Sequence, residues 1–362
     1  MAKKVILEAG RTFSEFSLLT DFTSKDCNLN NINLKSNLGQ LSLGIPFLSA
    51  AMTSVTGYEM ALALGKEGGL GVLPARLSVK EQVDIINKIK GYEMGFVEDP
   101  VSVRDNATID EAVRLVEKHG HSKIPVTDRN NVFLGLFNFD KYLESNETPA
   151  ENILSIMTSV EELPHTKNSE ITVKQAKKEL EENNYLIVLD DLGRLVKIAF
   201  KKDVENIVVG AAISTHKGWK KRVKACDEAG ADIFVIDTSD AYNEFTSKVL
   251  KDYAKMKLGK PICAGNVITY EGAKFLMNSG ADVIKVGMSS GSICTTQREK
   301  ATGRAPMTAL MEVERARADY LKESGKYVSI VIDGGVSDAG SMIIALSIAD
   351  AVMMGGYFNH FF

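Results

Sequence analysis

Residues 291–297 read GSICTTQ, a cysteine among glycine and small hydroxyl residues, just after an apolar run that ends at Gly287. A structural cysteine usually sits among Val, Leu and Ile, where it behaves as a small inert hydrophobe. Cys294 instead has Ser292 two positions before it and Thr295 and Thr296 directly after it. On a polar, accessible loop a thiolate can form and be reached, and covalent attack by it divides one hard step into two easier ones. These features leave two readings open: a nucleophile, or a loop cysteine of no consequence.

The elements that must position such a residue are legible as a repeat of apolar strand, loop and amphipathic helix. Short continuous apolar runs occur at 45–49, 70–73, 207–211, 233–237, 261–264, 283–287, 328–333 and 351–355. Runs of this kind are expected of parallel strands buried on both faces. Helix-length segments lie between most of them, and GWKKRVKACDEAGAD and TYEGAKFLMNSGAD both stop on a glycine before the next strand. Eight such units predict an α/β fold of the TIM (β/α)8 barrel class, whose active sites lie at the C-terminal ends of the strands. Polar residues and glycines gather at those ends, in SAAMTSV, DTSDAYNEF, AGNV, GMSSGSICTTQ, DGGV and GGYF. The glycines after the sixth, seventh and eighth strands suit a phosphate, which bare backbone N–H groups can approach. The sequence holds neither GxGxxG after a strand nor GxxxxGK[ST], so any dinucleotide binds outside a Rossmann fold or P-loop.

Between the second and third strands a tandem repeat intervenes. Each copy opens a helix with a capping box, Thr108-x-x-Glu111 and then Thr172-x-x-Gln175, and continues as strand, Asp-containing turn, strand and a second helix start at Asp140 or Asp203. This pattern resembles a CBS-domain pair, a module that often binds adenine nucleotides; a structural insert without ligand is the other reading. The expected division is 1–97 for the first part of the barrel, 98–205 for the repeat pair and 206–362 for the rest.

Net charge is −4 and the pI about 5.9, without a Lys/Arg-rich block, which argues against a nucleic-acid surface. The apolar runs are strand-length, so none predicts a membrane span, and the start MAKKVILEAGRTF is too short in apolar residues for a signal peptide. The four cysteines include no CxxC pair, which suits a reducing cytosol better than disulfides or a zinc site.

GSICTT, AGNV, DGG, the GG after the last strand, the opening RTFSEFSLL and the inserted repeat together resemble the IMP dehydrogenase family, over essentially the whole chain. The resemblance implies NAD-dependent oxidation of inosine 5'-monophosphate (IMP) to xanthosine 5'-monophosphate. In that reading Cys294 attacks carbon 2 of the purine, hydride passes to NAD, and water releases the covalent intermediate. Thr296 manages the proton of that water. Met52 forms part of the pocket wall, Asp333 holds the ribose hydroxyls, and Ser292, Gly335, Gly355 and Gly356 grip the phosphate. Asp237 takes the nicotinamide ribose and Asn266 lines the reacting centre. The resemblance also implies potassium held by backbone carbonyls around Gly291 and Cys294, a homotetramer, and an adenine or guanine nucleotide at the repeat pair.

Three departures from the family pattern stand out. Ser289 replaces a usual glycine and restricts the backbone near the cation site. Ala241 replaces another and is expected to crowd the cofactor. The sequence ends directly after the eighth strand, where the family continues with a flap bearing a water-activating Arg-Tyr pair and a last helix, so a fragment is expected. Two alternatives remain: a guanosine monophosphate (GMP) reductase, a family that usually lacks the repeat pair, and a catalytically silent nucleotide-binding regulatory protein.

Overall fold

The computed structural model describes residues 9–24, 27, 32–92, 96–119, 121–201, 207–288, 299 and 301–358. Eight strands close a barrel: β1 (Phe47–Ser49), β2 (Leu70–Leu73), β3 (Val209–Ile213), β4 (Ile233–Asp237), β5 (Ile262–Val267), β6 (Val283–Val286), β7 (Ser329–Asp333) and β8 (Ala351–Met354). Neighbours in this order pair in parallel, and β8 pairs with β1 to complete the ring. The TIM barrel expected from the apolar runs is present. The third strand starts at Val209 instead of 207, because pairing with Gly71 begins there while the Ile207 carbonyl accepts from Lys90 Nζ at 2.7 Å.

Alternation sorts each strand into two environments. Val235, Cys263, Val283 and Val331 point into the barrel, where they meet Leu38 and Leu43 of a hairpin (Ser36–Leu38 with Leu41–Leu43). Gly39 N–H donates to Ser329 Oγ, so the hairpin sits at the N-terminal end of the strands and closes it. The intervening residues, such as Phe234, Ile236, Ile284 and Ile332, face the surrounding helices. These are α1 (Tyr58–Lys66), α2 (Val79–Lys90), α3 (Trp219–Glu228), α4 (Glu244–Ala254), α5 (Tyr270–Asn278), α6 (Pro306–Ser324) and α7 (Ala339–Leu346). Ser78, Asn243, Thr269 and Asp338 cap four of them through their side chains, satisfying N–H groups that the first turn leaves open.

One local device recurs at the entry to three strands. Asp232, Asp282 and Asp350 each donate through the backbone to the carbonyl of Val209, Ile262 or Ile330, and accept the N–H of that same residue on a carboxylate oxygen. Each carboxylate also binds a cation: Lys90, Lys326 and Arg317 respectively. The Asp that follows the helix stop therefore ties each new strand to its neighbour.

Residues 92–206 form a second compact unit, and residues 1–91 with 207–362 the first. The second begins at Tyr92, ahead of position 98, because strand Val97–Glu98 pairs with Leu195–Phe200. It contains two similar four-stranded sheets. In one, Val103–Arg104, Lys123–Thr127, Phe133–Asn138 and Thr158–Ser159 lie side by side; in the other, His165–Thr166, Tyr185–Leu189, Leu195–Phe200 and Val97–Glu98. Both capping boxes form, at Thr108 with Glu111 and at Thr172 with Gln175. The two hairpin turns are also built alike. Asp128 Oδ1 accepts from the N–H groups of Asn130 and Val132, and Asp190 Oδ1 from those of Leu192 and Arg194. The second helix of the first repeat spans Phe139–Leu143; Asp203 lies outside the described residues. Among the described residues no helix is long and apolar enough to cross a membrane.

Candidate active site

At the C-terminal ends of β4 to β7 the inward-facing positions stop being apolar. Asp237 ends β4, Lys285 lies near the end of β6 and Asp333 ends β7, each with the parity of the interior Val235, Val283 and Val331. Lys285 Nζ donates to Asp237 Oδ1 at 2.8 Å, to Asp333 Oδ2 at 2.7 Å, and to Asn266 Oδ1 on β5. Asn266 Nδ2 donates to Asp333 Oδ2 at 3.0 Å, which closes the cluster. Three residues expected from separate strand ends thus share one ammonium group.

The charge balance explains why a lysine can stand inside a barrel. Its side chain is only 2% exposed, and an isolated buried ammonium would shed its proton. Burial does work against the charged form, but Asp333 and then Asp237 outweigh it, so Lys285 holds its proton more tightly than a free lysine. The carboxylates stay nearer the mouth, at 35% exposure for Asp237 and 22% for Asp333. The cluster is a buried cation beneath two acceptors that a ligand can reach.

Backbone contacts hold the two loops above β4 and β5 together. Asn266 N–H donates to the Thr238 carbonyl at 2.9 Å, Thr238 N–H to the Gly265 carbonyl at 3.0 Å, and Ala241 N–H to the Asn266 carbonyl at 2.8 Å. Ala241 itself is fully buried and packs with the outer core, among Val249 and Val267. Its methyl group therefore fills core space.

The other sequence-derived candidates fall at neighbouring strand ends. Gly335 follows β7 in the left-handed region, φ 81°, after Gly334 at φ 82°, whose N–H donates to the Met353 carbonyl of β8. An L side chain would be strained at both positions. Gly355 follows β8, and a β-carbon added there would lie 3.9 Å from Met52 Sδ, so Met52 and Gly355 face one another above β1 and β8. Gly356 is exposed beside it. Gly291, Ser292, Cys294 and Thr296, with Ser289, lie outside the described residues. The segment that carries them leaves β6 through Gly287 and Met288 and returns at Arg304, whose N–H donates to the Met288 carbonyl. Among the described residues no group of three His, Cys, Asp or Glu side chains could hold a metal ion.

Lys285 was not among the sequence candidates. The signal was present: a lone charge at an inward position of an otherwise apolar strand, two residues before Gly287. Such a charge requires buried counter-charges, and the strand-end aspartates are the nearest source.

The chain matches the IMP dehydrogenase / GMP reductase domain over residues 10–361. It belongs to that family. The inosine-5'-monophosphate dehydrogenase of Tritrichomonas foetus is 32% identical over 384 residues, 98% of this chain and 76% of that protein. That of Aquifex aeolicus is 31% identical, covering 96% of this chain and 73% of the relative. Among solved structures, a GMP reductase from Trypanosoma brucei bound to guanosine 5'-monophosphate is similar with a TM-score of 0.63 at 23% identity, over 97% of this chain and 76% of that one. The same enzyme with guanosine 5'-triphosphate gives 0.62 at 24%, over 96% and 86%. At that identity the likeness establishes the shared fold.

Proposed function

We propose that the chain is an oxidoreductase of purine nucleoside 5'-monophosphates, and that its reaction is the NAD-dependent oxidation of IMP to xanthosine 5'-monophosphate. One observation carries this reading: Asp237, Asn266 and Asp333, on three different strands, converge on Lys285 at the catalytic end of the barrel. The matching dehydrogenases at about one-third identity supply the substrate class.

Asp333 accepts hydrogen bonds from the ribose hydroxyls of IMP, and Asp237 from the nicotinamide ribose; an ionised carboxylate is acceptor-only and suits a diol. The fit is good at Asp237, whose Oδ2 has no hydrogen-bond partner among the described residues and whose side chain is partly exposed. NAD supplies the hydride acceptor. Gly335, Gly355, Gly356 and Ser292 grip the phosphate, mostly through N–H groups, and Met52 forms a wall of the pocket. The Cys294 thiolate adds to carbon 2 of the purine, and loss of hydride from that carbon to NAD leaves a covalent thioimidate and NADH. Water assisted by Thr296 then adds at carbon 2 and expels the thiolate, which balances the reaction as one hydride and one proton released per IMP and water consumed. Gly291 and Cys294 are the residues that would hold a potassium ion. Residues 92–206 act as a CBS pair that takes an adenine or guanine nucleotide, the chain assembles as a homotetramer, and it works in the cytoplasm.

A second reading, GMP reductase, is favoured by the solved structures that span the insert. Parallel assays decide between them. The proposal predicts NADH formation from IMP and NAD and no NADPH consumption with GMP; the reverse result assigns the reductase.

A further inference from the structure

The donor count at Lys285 goes beyond charge neutralisation. An ammonium group has three protons, and Lys285 Nζ has three acceptors, Asp237 Oδ1, Asn266 Oδ1 and Asp333 Oδ2. Its side chain is sealed at 2% exposure, with Gly265 packed against its β-carbon. It therefore acts on a ligand only through the groups it holds. Those groups belong to two sites: Asp333 to the nucleotide ribose and Asp237 to the dinucleotide ribose, an assignment that rests on the proposed function.

We infer that Lys285 is a positioning residue shared by the two ribose sites, and that it couples them, so that a change at Asp237 alters binding of the nucleotide that touches only Asp333. The physical basis is competition for carboxylate charge. Ligand hydroxyls and the ammonium draw on the same Asp333 carboxylate. When Asp237 is neutral, the ammonium loses one of its two anionic partners and leans harder on Asp333, which becomes a poorer acceptor for the ribose. Conversely, a dinucleotide that orders Asp237 orders Lys285, and the ordering cost is then already met for Asp333. Coupling of this kind is reciprocal.

The test is calorimetric titration of IMP into the full chain carrying Cys294→Ala, which stops chemistry, followed by the same titration with Asp237→Asn or Lys285→Met added. Asp237→Asn is expected to weaken IMP roughly three- to tenfold, within the range of energetic coupling through a shared network. In the Lys285→Met background the further change Asp237→Asn is expected to leave IMP affinity within about twofold, because the connection is gone. Lys285→Arg is expected to restore part of the sensitivity to Asp237→Asn that Lys285→Met abolishes. IMP affinity unaffected by Asp237→Asn overturns the inference, and this variant keeps the test decisive if Lys285→Met does not fold. Equal sensitivity to Asp237→Asn with and without Lys285 also overturns it. Failure of the Cys294→Ala parent to bind IMP at all is a different result: it removes the proposed function, and the inference with it.

Discussion

Gly265 and Lys285 occupy space that only a glycine can share: a β-carbon at Gly265 would lie 2.5 Å from Lys285 Cβ and 2.5 Å from its carbonyl oxygen. The β5–β6 pair therefore closes around the lysine because its neighbour has no side chain. Gly265→Ala forces the strands apart or displaces Lys285, an overpacking cost of about 1–3 kcal/mol. A lowered thermal midpoint is expected, together with loss of nucleotide binding larger than the stability change alone produces. Unchanged melting and binding would mean that the backbone absorbs the methyl group.

The ties at the opposite end of the barrel are structural. Arg317 Nη1 meets Asp350 Oδ2 at 2.7 Å, Tyr327 Oη donates to Asp350 Oδ1 at 2.6 Å, and both ion-pair side chains are largely buried. Asp350→Ala leaves Arg317 with Glu314 as its remaining counter-charge and Ile330 N–H without its acceptor, at a cost of roughly 1–3 kcal/mol. Lys255→Ala, in an exposed pair with Asp252, is expected to change stability by less than about 0.5 kcal/mol. Denaturant unfolding of the two variants checks the contrast.

Cysteine chemistry divides by burial. Burial pushes the Cys226 thiol up to about 11 and the Cys263 thiol up to about 12, so both are protonated at neutral pH and become thiolates only above those values. Cys27 is exposed. In the native protein at neutral pH, alkylation followed by mass spectrometry is expected to modify Cys27, and Cys294 faster than Cys226 or Cys263. Saturating IMP should protect Cys294 while leaving the Cys27 rate unchanged.

The second unit carries its own local prediction. Thr108→Ala and Thr172→Ala each remove one half of a capping box and should destabilise that unit by about 1 kcal/mol apiece. Hydrogen exchange localises the effect to residues 109–119 or 173–179, and no change in protection there would contradict it.

Much of the fold was readable because parallel barrel strands are buried on both faces and appear as unbroken apolar runs. Boundaries slipped where hydropathy and pairing part company. Ile207 is apolar but lies ahead of the first pairing residue, Val209, whereas Gly265 and Asn266 look like loop yet remain in β5. At the site, Asp237, Asn266 and Asp333 could be picked out as polar residues at strand ends. Lys285 shows in the sequence only as a lone charge within an apolar strand; its role depends on a convergence of four strands that no local pattern encodes.

In the proposed reaction Cys294 forms a covalent bond to the purine before water releases the product. Rapid mixing of IMP and NAD with near-stoichiometric protein, monitored as NADH, tests it most directly. An initial burst of about one NADH per active site is expected, abolished in Cys294→Ala. The IMP carbon should be recovered on the Cys294 peptide after acid quench. A folded protein that binds IMP but gives no burst and no labelled Cys294 peptide would contradict it.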